Sequence, residues 1–235
     1  MHKRHVAPAV PLALTALVAP AGSAFAQITL VEQTRSVTAR ATAGSTVTNS
    51  RSATDFLLFN ESVSAENSIP FVSSGFATAR QRSSFDFAPG PALTADVTGF
   101  VQGTGSGGPP PGGGTGTSTT ELTFTLAGPT DWQLRSSYFT GSPQGGYFNT
   151  VKLERLGPNP AVLADHSGFG VINLLTGGST TPGTYKFTAN FSAFGGPTAT
   201  TVTFDIDLSL VQIPAPSAAA LLAMLPMTTR RRRAR

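Results

Sequence analysis

From Gln27 to Val211 the chain alternates apolar and polar residues, and no long stretch carries the three-to-four-residue apolar spacing of a helix. In ELTFTLA, Leu122, Phe124 and Leu126 fall on one face. In TYKFTANF, Tyr185, Phe187, Ala189 and Phe191 do, and in TVTFDIDLSL so do Val202, Phe204, Ile206, Leu208 and Leu210. Each reads as a strand with one face buried and one wet. Weaker candidates are Gln27–Val31, Ser36–Ala41, Asp55–Phe59, Phe76–Arg80, Ser84–Ala88, Leu93–Val101, Trp132–Phe139, Phe148–Leu156 and Ala161–Ala164. Gly and Pro punctuate the gaps, as in Gly128-Pro129, Gly157-Pro158-Asn159-Pro160 and Gly195-Gly196-Pro197. The pattern predicts an all-β, antiparallel sandwich of jelly-roll type.

One segment breaks the alternation. GTGSGGPPPGGGTGTSTT, residues 103–120, has no large apolar side chain and is expected to form a flexible loop. It divides the body into a Ser/Ala-rich first half and a better patterned second half. Two domains or one sandwich with an insertion both fit; one sandwich over 27–211 is favoured, because neither half alone offers a sizeable core.

The ends differ from the body. Basic His2-Lys3-Arg4-His5, an apolar run from Val6 to Val18 and Ala24-Phe25-Ala26 form the three parts of a secretory signal peptide over residues 1–26, with cleavage expected after Ala26. The run is short for a membrane span of about 20 residues, which disfavours an uncleaved anchor. Seven of the sixteen Lys and Arg residues lie in the two ends, leaving nine against all twelve acidic residues in the body. The calculated pI of about 10.0 therefore belongs to the ends, and the body, at a net charge of about −3, lacks the basic and aromatic stripe of a nucleic-acid partner. There is no cysteine, so disulfides and thiol chemistry are excluded and burial alone must hold the fold.

After the last strand, Pro214-Ala215-Pro216 ends β pairing, Ser217 can cap a helix, and Ala218–Leu225 supplies its apolar face. Arg230, Arg231, Arg232 and Arg233 follow, the charge pattern that holds a segment's end in the cytoplasm. This order of short proline motif, apolar helix and arginine cluster over residues 212–235 resembles the PEP-CTERM sorting signal of Gram-negative bacteria, in its Pro-Ala-Pro form. The resemblance implies a short membrane helix, stop-transfer arginines, and signal peptidase and an exosortase-type membrane protease as partners. Ala215 stands where the family usually has Glu, and Pro226, Thr228 and Thr229 depart from its Leu/Gly-rich span. Leu225–Thr229, LPMTT, is a weaker match to a sortase signal, which precedes its apolar span rather than following it. The body is similar to the exported β-sandwich proteins that often accompany such a tail, which implies fold and location only.

Candidate chemistry in the body is thin. His166 sits between Asp165 and Ser167, but three neighbours in one segment do not converge as a triad, and an exposed turn histidine is expected. Asp205 and Asp207 are two residues apart on the polar face of the last strand, where paired carboxylates could bind calcium or act as acid and base; a solvated face explains them equally. Trp132, Tyr138, Tyr147 and Phe148 cluster near Gly-rich turns, where aromatic faces can stack on sugars, although Trp132 and Leu134 alternate as core residues would. Tyr185, following a TPG turn, resembles the tyrosine that bonds backbone at a sandwich corner. No metal or cofactor is expected. The expectation is a non-enzymatic, exported structural or adhesive protein of the envelope or extracellular matrix, transiently held at the inner membrane. The alternative is a secreted module binding matrix polysaccharide through Trp132, Tyr138 and Tyr147.

Overall fold

A computed structural model describes residues 27–86, 92–141, 146–168 and 172–213. The expected signal peptide, the 214–216 motif, the apolar helix and Arg230–Arg233 all lie outside them. Twelve strands follow in order: β1 Ile28–Ala43, β2 Ser45–Ala53, β3 Phe59–Ile69, β4 Ser73–Asp86, β5 Ala92–Gly107, β6 Gly113–Leu126, β7 Thr130–Thr140, β8 Gly146–Arg155, β9 Ala161–Asp165, β10 Ile172–Thr180, β11 Gly183–Gly195 and β12 Thr200–Gln212. They form two six-stranded sheets, β2-β1-β6-β11-β8-β9 and β10-β7-β12-β5-β4-β3, and the strand pairs described are antiparallel. The sandwich is thus as expected. Its twelve strands exceed the eight of a jelly roll, since β2 and β3 extend one side and β9 and β10 the other.

Alternation decides which side of each strand faces inward. Leu122, Phe124 and Leu126 of β6, Tyr185, Phe187, Ala189 and Phe191 of β11, and Val202, Phe204, Ile206, Leu208 and Leu210 of β12 are all buried. Phe191 and Phe204, from opposite sheets, stack with centroids 4.1 Å apart, and Phe124 stacks on Tyr185 at 5.8 Å.

The Gly-rich segment corrects the sequence expectation. Residues 103–107 complete β5, residues 113–120 begin β6, and only Gly108–Gly112 form the connection. These glycines are where the sheets touch. A Cβ at Gly103, Gly105, Gly114 or Gly116 would stand closer than 3.0 Å to backbone of the opposing sheet, and the Gly105 amide donates to the Gly196 carbonyl at 2.7 Å. Packed sheets normally sit about 10 Å apart to make room for side chains; here none are present. Ala39, Ala41, Ala43 and Ala77 continue the small lining. The interior therefore tapers from Leu and aromatic residues at one pole to Gly and Ala at the other.

Register fixes what lies at each pole. The narrow pole carries the β1–β2, β3–β4, β5–β6 and β11–β12 connections, and β7 ends and β8 begins there. Both ends of the body lie at the wide pole: the Ala127 amide donates to the Gln27 carbonyl at 3.3 Å and the Ile213 amide to the Pro129 carbonyl at 3.0 Å.

Candidate functional site

Among the described residues, Arg35 is the largest fully buried side chain. Continuing the β1 alternation back from Ala39 and Val37 places Arg35 and Gln33 inward, and both are buried. The Arg35 guanidinium lies between two rings, 5.4 Å from the Phe59 centroid and 5.0 Å from that of Phe85. It donates to the Ser83 carbonyl at 3.1 Å and the Asp55 carbonyl at 2.6 Å, and meets the Asp55 carboxylate at 3.3 Å. Gln33 also donates to the Asp55 carbonyl. Burial lowers the guanidinium pKa and the Asp55 charge partly restores it, so the group stays charged. One cation thus ties β1 of one sheet to β3 and β4 of the other and pins the β2–β3 connection. It continues into a buried network: Gln81 donates to Ser83 Oγ at 3.0 Å and Thr120 Oγ1 at 2.6 Å and accepts from Ser118 at 2.8 Å. These contacts join the sheets; Arg35, wholly enclosed, offers no face to a ligand.

His166 is buried, which corrects the exposed turn expected for it. Its Nδ1 lies 2.8 Å from Ser136 Oγ and its Nε2 2.6 Å from Thr176 Oγ1, while its carbonyl accepts from Tyr138 at 2.9 Å. Desolvation lowers the imidazole pKa, opposed by nearby Asp165. Asp165 itself turns to the Ser167 amide at 3.0 Å, so these neighbours diverge. Ser136 has hydroxyl and imidazole adjacent but is fully buried, and Thr176 rather than a carboxylate holds the far nitrogen. The arrangement packs a neutral imidazole between the sheets. Burial also pushes the Tyr138 hydroxyl up to about 12.

The aromatic cluster divides. Trp132 and Tyr138 are core residues, so neither ring presents a face to a sugar; the reason is that both fall at inward positions of β7 alongside Leu134. Tyr147 packs at the core margin, and Phe148 is exposed on the outer surface. Tyr185 behaves as expected for a corner, donating to the Thr181 carbonyl at 2.6 Å.

On the outer surface of the second sheet, Asp207 has Asp96 directly opposite on β5 and Arg135 opposite on β7, the latter at 3.5 Å. Its facing carboxylate is therefore Asp96 rather than Asp205, which stands opposite Thr98 and Ser137. Desolvation, then the hydrogen bond and charge of Asp96, raise the Asp207 pKa, and Arg135 opposes them. Arg82, Ser84 and Thr98 complete an open depression of about 240 Å³. Among the described residues no group of three or more His, Cys, Asp or Glu side chains could hold a metal ion.

Known proteins add little to this geometry. No family model matches the chain, and no curated protein does. Among solved structures, two of infectious bursal disease virus align weakly. The Gt strain matches at 10% identity over 83% of this chain and 67% of its own, with a TM-score of 0.21. The Gx strain matches at 9% identity over 81% and 68%, with a TM-score of 0.18. Similarity at this level carries no argument about fold or function.

Sequence reasoning missed Arg35. The signal was available in the phasing of β1, where Gln33, Arg35, Val37, Ala39 and Ala41 share one side. The buried state of His166 was not available, because its partners come from β7 and β10.

Proposed function

We propose that the chain is an exported, non-enzymatic structural or adhesive protein of the cell envelope or extracellular matrix, delivered by its PEP-CTERM-like tail. In this reading signal peptidase removes residues 1–26, and the tail holds the body at the inner membrane until an exosortase-type protease acts at Pro214-Ala215-Pro216. Arg230–Arg233 halt export.

The observation that carries the proposal is the position of residue 213. The Ile213 amide is fixed to the β6–β7 connection at the wide pole. A tail leaving there would tether the body by one end and leave the four described connections of the narrow pole farthest from the attachment. At about 3.3 Å per residue, the thirteen residues of β12 separate the poles by roughly 40 Å. Those connections contain no charged residue, so contacts made through them would depend little on salt. The burial of Trp132 and Tyr138 weighs against the polysaccharide-binding alternative.

The test replaces Arg230, Arg231, Arg232 and Arg233 with serine, then fractionates cells and measures the intact mass of the mature chain. Altered location together with loss of tail processing is expected. Unchanged location and an unchanged C-terminus would overturn the proposal.

A further inference from the structure

Among the described residues, four strands form the edges of the two sheets, β2 and β9 in one and β3 and β10 in the other. An edge exposes unpaired N–H and C=O groups and recruits another strand unless it is guarded. Three of the four are guarded. β2 and β3 are laced together, Asn49 donating to the Ser64 carbonyl at 2.5 Å and Asn67 to the Ser45 carbonyl at 2.7 Å, and they carry Arg51, Glu61 and Glu66. β9 has only five residues, with a register break opposite Leu153 and Glu154.

β10 has none of these devices. Its nine residues, INLLTGGST, include no charge and no proline, and pair with β7 in unbroken register. Leu175 is 63% exposed and Leu174 42%. The occupant must be an extended strand, because only a strand satisfies a row of alternate outward N–H and C=O groups.

We propose that this strand is β10 of a second copy of the chain, paired antiparallel about Leu175. A two-fold axis places each residue opposite one from the same strand, so any charge near the axis would face its own kind. β10 is free of that penalty. The register puts Leu175 against Leu175 of the second copy, Leu174 against Thr176, Asn173 against Gly177, and Ile172 against Gly178, so the larger outer residues meet glycines. The neighbouring charges on β7 are already engaged, Arg135 with Asp207 and Asp131 with the Ser179 hydroxyl. Pairing joins two six-stranded sheets into one of twelve. Seven residues a side, Ile172 to Gly178, is well below the roughly 20–30 of a standard interface, so the dimer is weak and concentration-dependent.

The test uses the full-length chain in sedimentation velocity from micromolar to millimolar concentration, with hydrogen exchange of the residue 172–180 amides on the same samples. Dimerisation with concentration-dependent protection of β10 is expected. Leu175→Lys and Leu175→Glu each weaken it by about tenfold or more, and an equimolar mixture of the two restores it. The chain ends are identical in all samples, so association through them would not respond to residue 175. Dimerisation unaffected by either variant, no association at any concentration, or β10 protection independent of concentration, as when residues 214–235 of the same chain cover the edge, would each overturn the proposal. Exchange on the unmodified chain decides the question even if a variant fails to fold.

Discussion

Gly195 of β11 and Gly103 of β5 belong to different sheets, yet no Cβ fits between them: one built on Gly195 would meet the Gly103 carbonyl carbon and the Thr104 nitrogen well inside contact distance. Backbone cannot step aside as a flexible side chain does, so alanine there must part the sheets. Gly195→Ala and Gly114→Ala are each expected to cost about 2–4 kcal/mol, at or above the usual range for overpacking. Gly108→Ala and Gly196→Ala, with nothing within 4 Å, should stay within about 0.5 kcal/mol of the parent. Urea unfolding of the four variants measures the contrast, and equal effects would remove the close-packing explanation for the Gly-rich segment.

The buried cation makes a second contrast. Arg35→Ala empties the space between Phe59 and Phe85, removes the hydrogen bond to the Ser83 carbonyl and leaves the Asp55 carbonyl to Gln33 alone, so a loss of about 3–5 kcal/mol is expected. Asp55→Asn keeps the carbonyl bond and removes only a carboxylate that is 62% exposed, for which about 1 kcal/mol or less is expected. If both variants lost the same stability, the charge pair rather than the carbonyl bonds would be what Arg35 contributes.

Two titrations have opposite signs. The folded state lowers the His166 pKa, so above the ordinary value of 6.5 there is no penalty, and stability is lost as pH falls from there through the folded-state value. His166→Gln retains hydrogen bonding without titrating and should flatten stability against pH in that window. Urea midpoints at a series of pH values test this; an unchanged slope would place the acid sensitivity elsewhere.

Asp207 works the other way, because its pKa is raised. Its stability contribution is full below the ordinary carboxylate value of 3.8 and is lost as pH rises through the folded-state value. Asp207→Asn relieves the like charge facing Asp96, and about 0.2–1 kcal/mol of stabilisation is expected at neutral pH, vanishing below 3.8. The lost pairing with Arg135 is exposed and contributes little. A gain of the same size in acid would mean that charge is not its source.

How much of this the sequence disclosed depends on the size of the inward residues. β6, β11 and β12 were legible because Phe, Leu and Tyr alternate with Thr, Ser and Lys. β2 and β10 were not, since β2 is wetted on both sides and β10 meets the interior only through Ile172, Thr176 and Thr180, too few large apolar residues to display alternation, and Asp55–Phe59 proved to be mainly the connection pinned by Arg35. The Gly-rich run reads as a loop for a related reason: glycine in isolation signals a loop, and only the opposing backbone reveals it as a packing surface. The Asp96–Asp207 pair is a product of register, which no single strand contains.

The last strained element is the β3–β4 turn. The Val72 amide donates to the Ile69 carbonyl at 3.0 Å, closing a turn with Pro70 second and Phe71 third. Phe71 has φ of 59° and is fully exposed. Proline suits its position, but the third residue of such a turn calls for Gly or Asn, because an ordinary side chain there meets its own carbonyl. With no burial to lose, Phe71→Asn is expected to stabilise by about 0.5–1 kcal/mol, and Phe71→Val, β-branched, to destabilise by a similar amount. Thermal unfolding of the three proteins gives the order Asn above Phe above Val. An Asn variant less stable than the parent would mean that the Phe71 ring has a packing partner in solution, which would direct attention to the narrow pole as a contact surface.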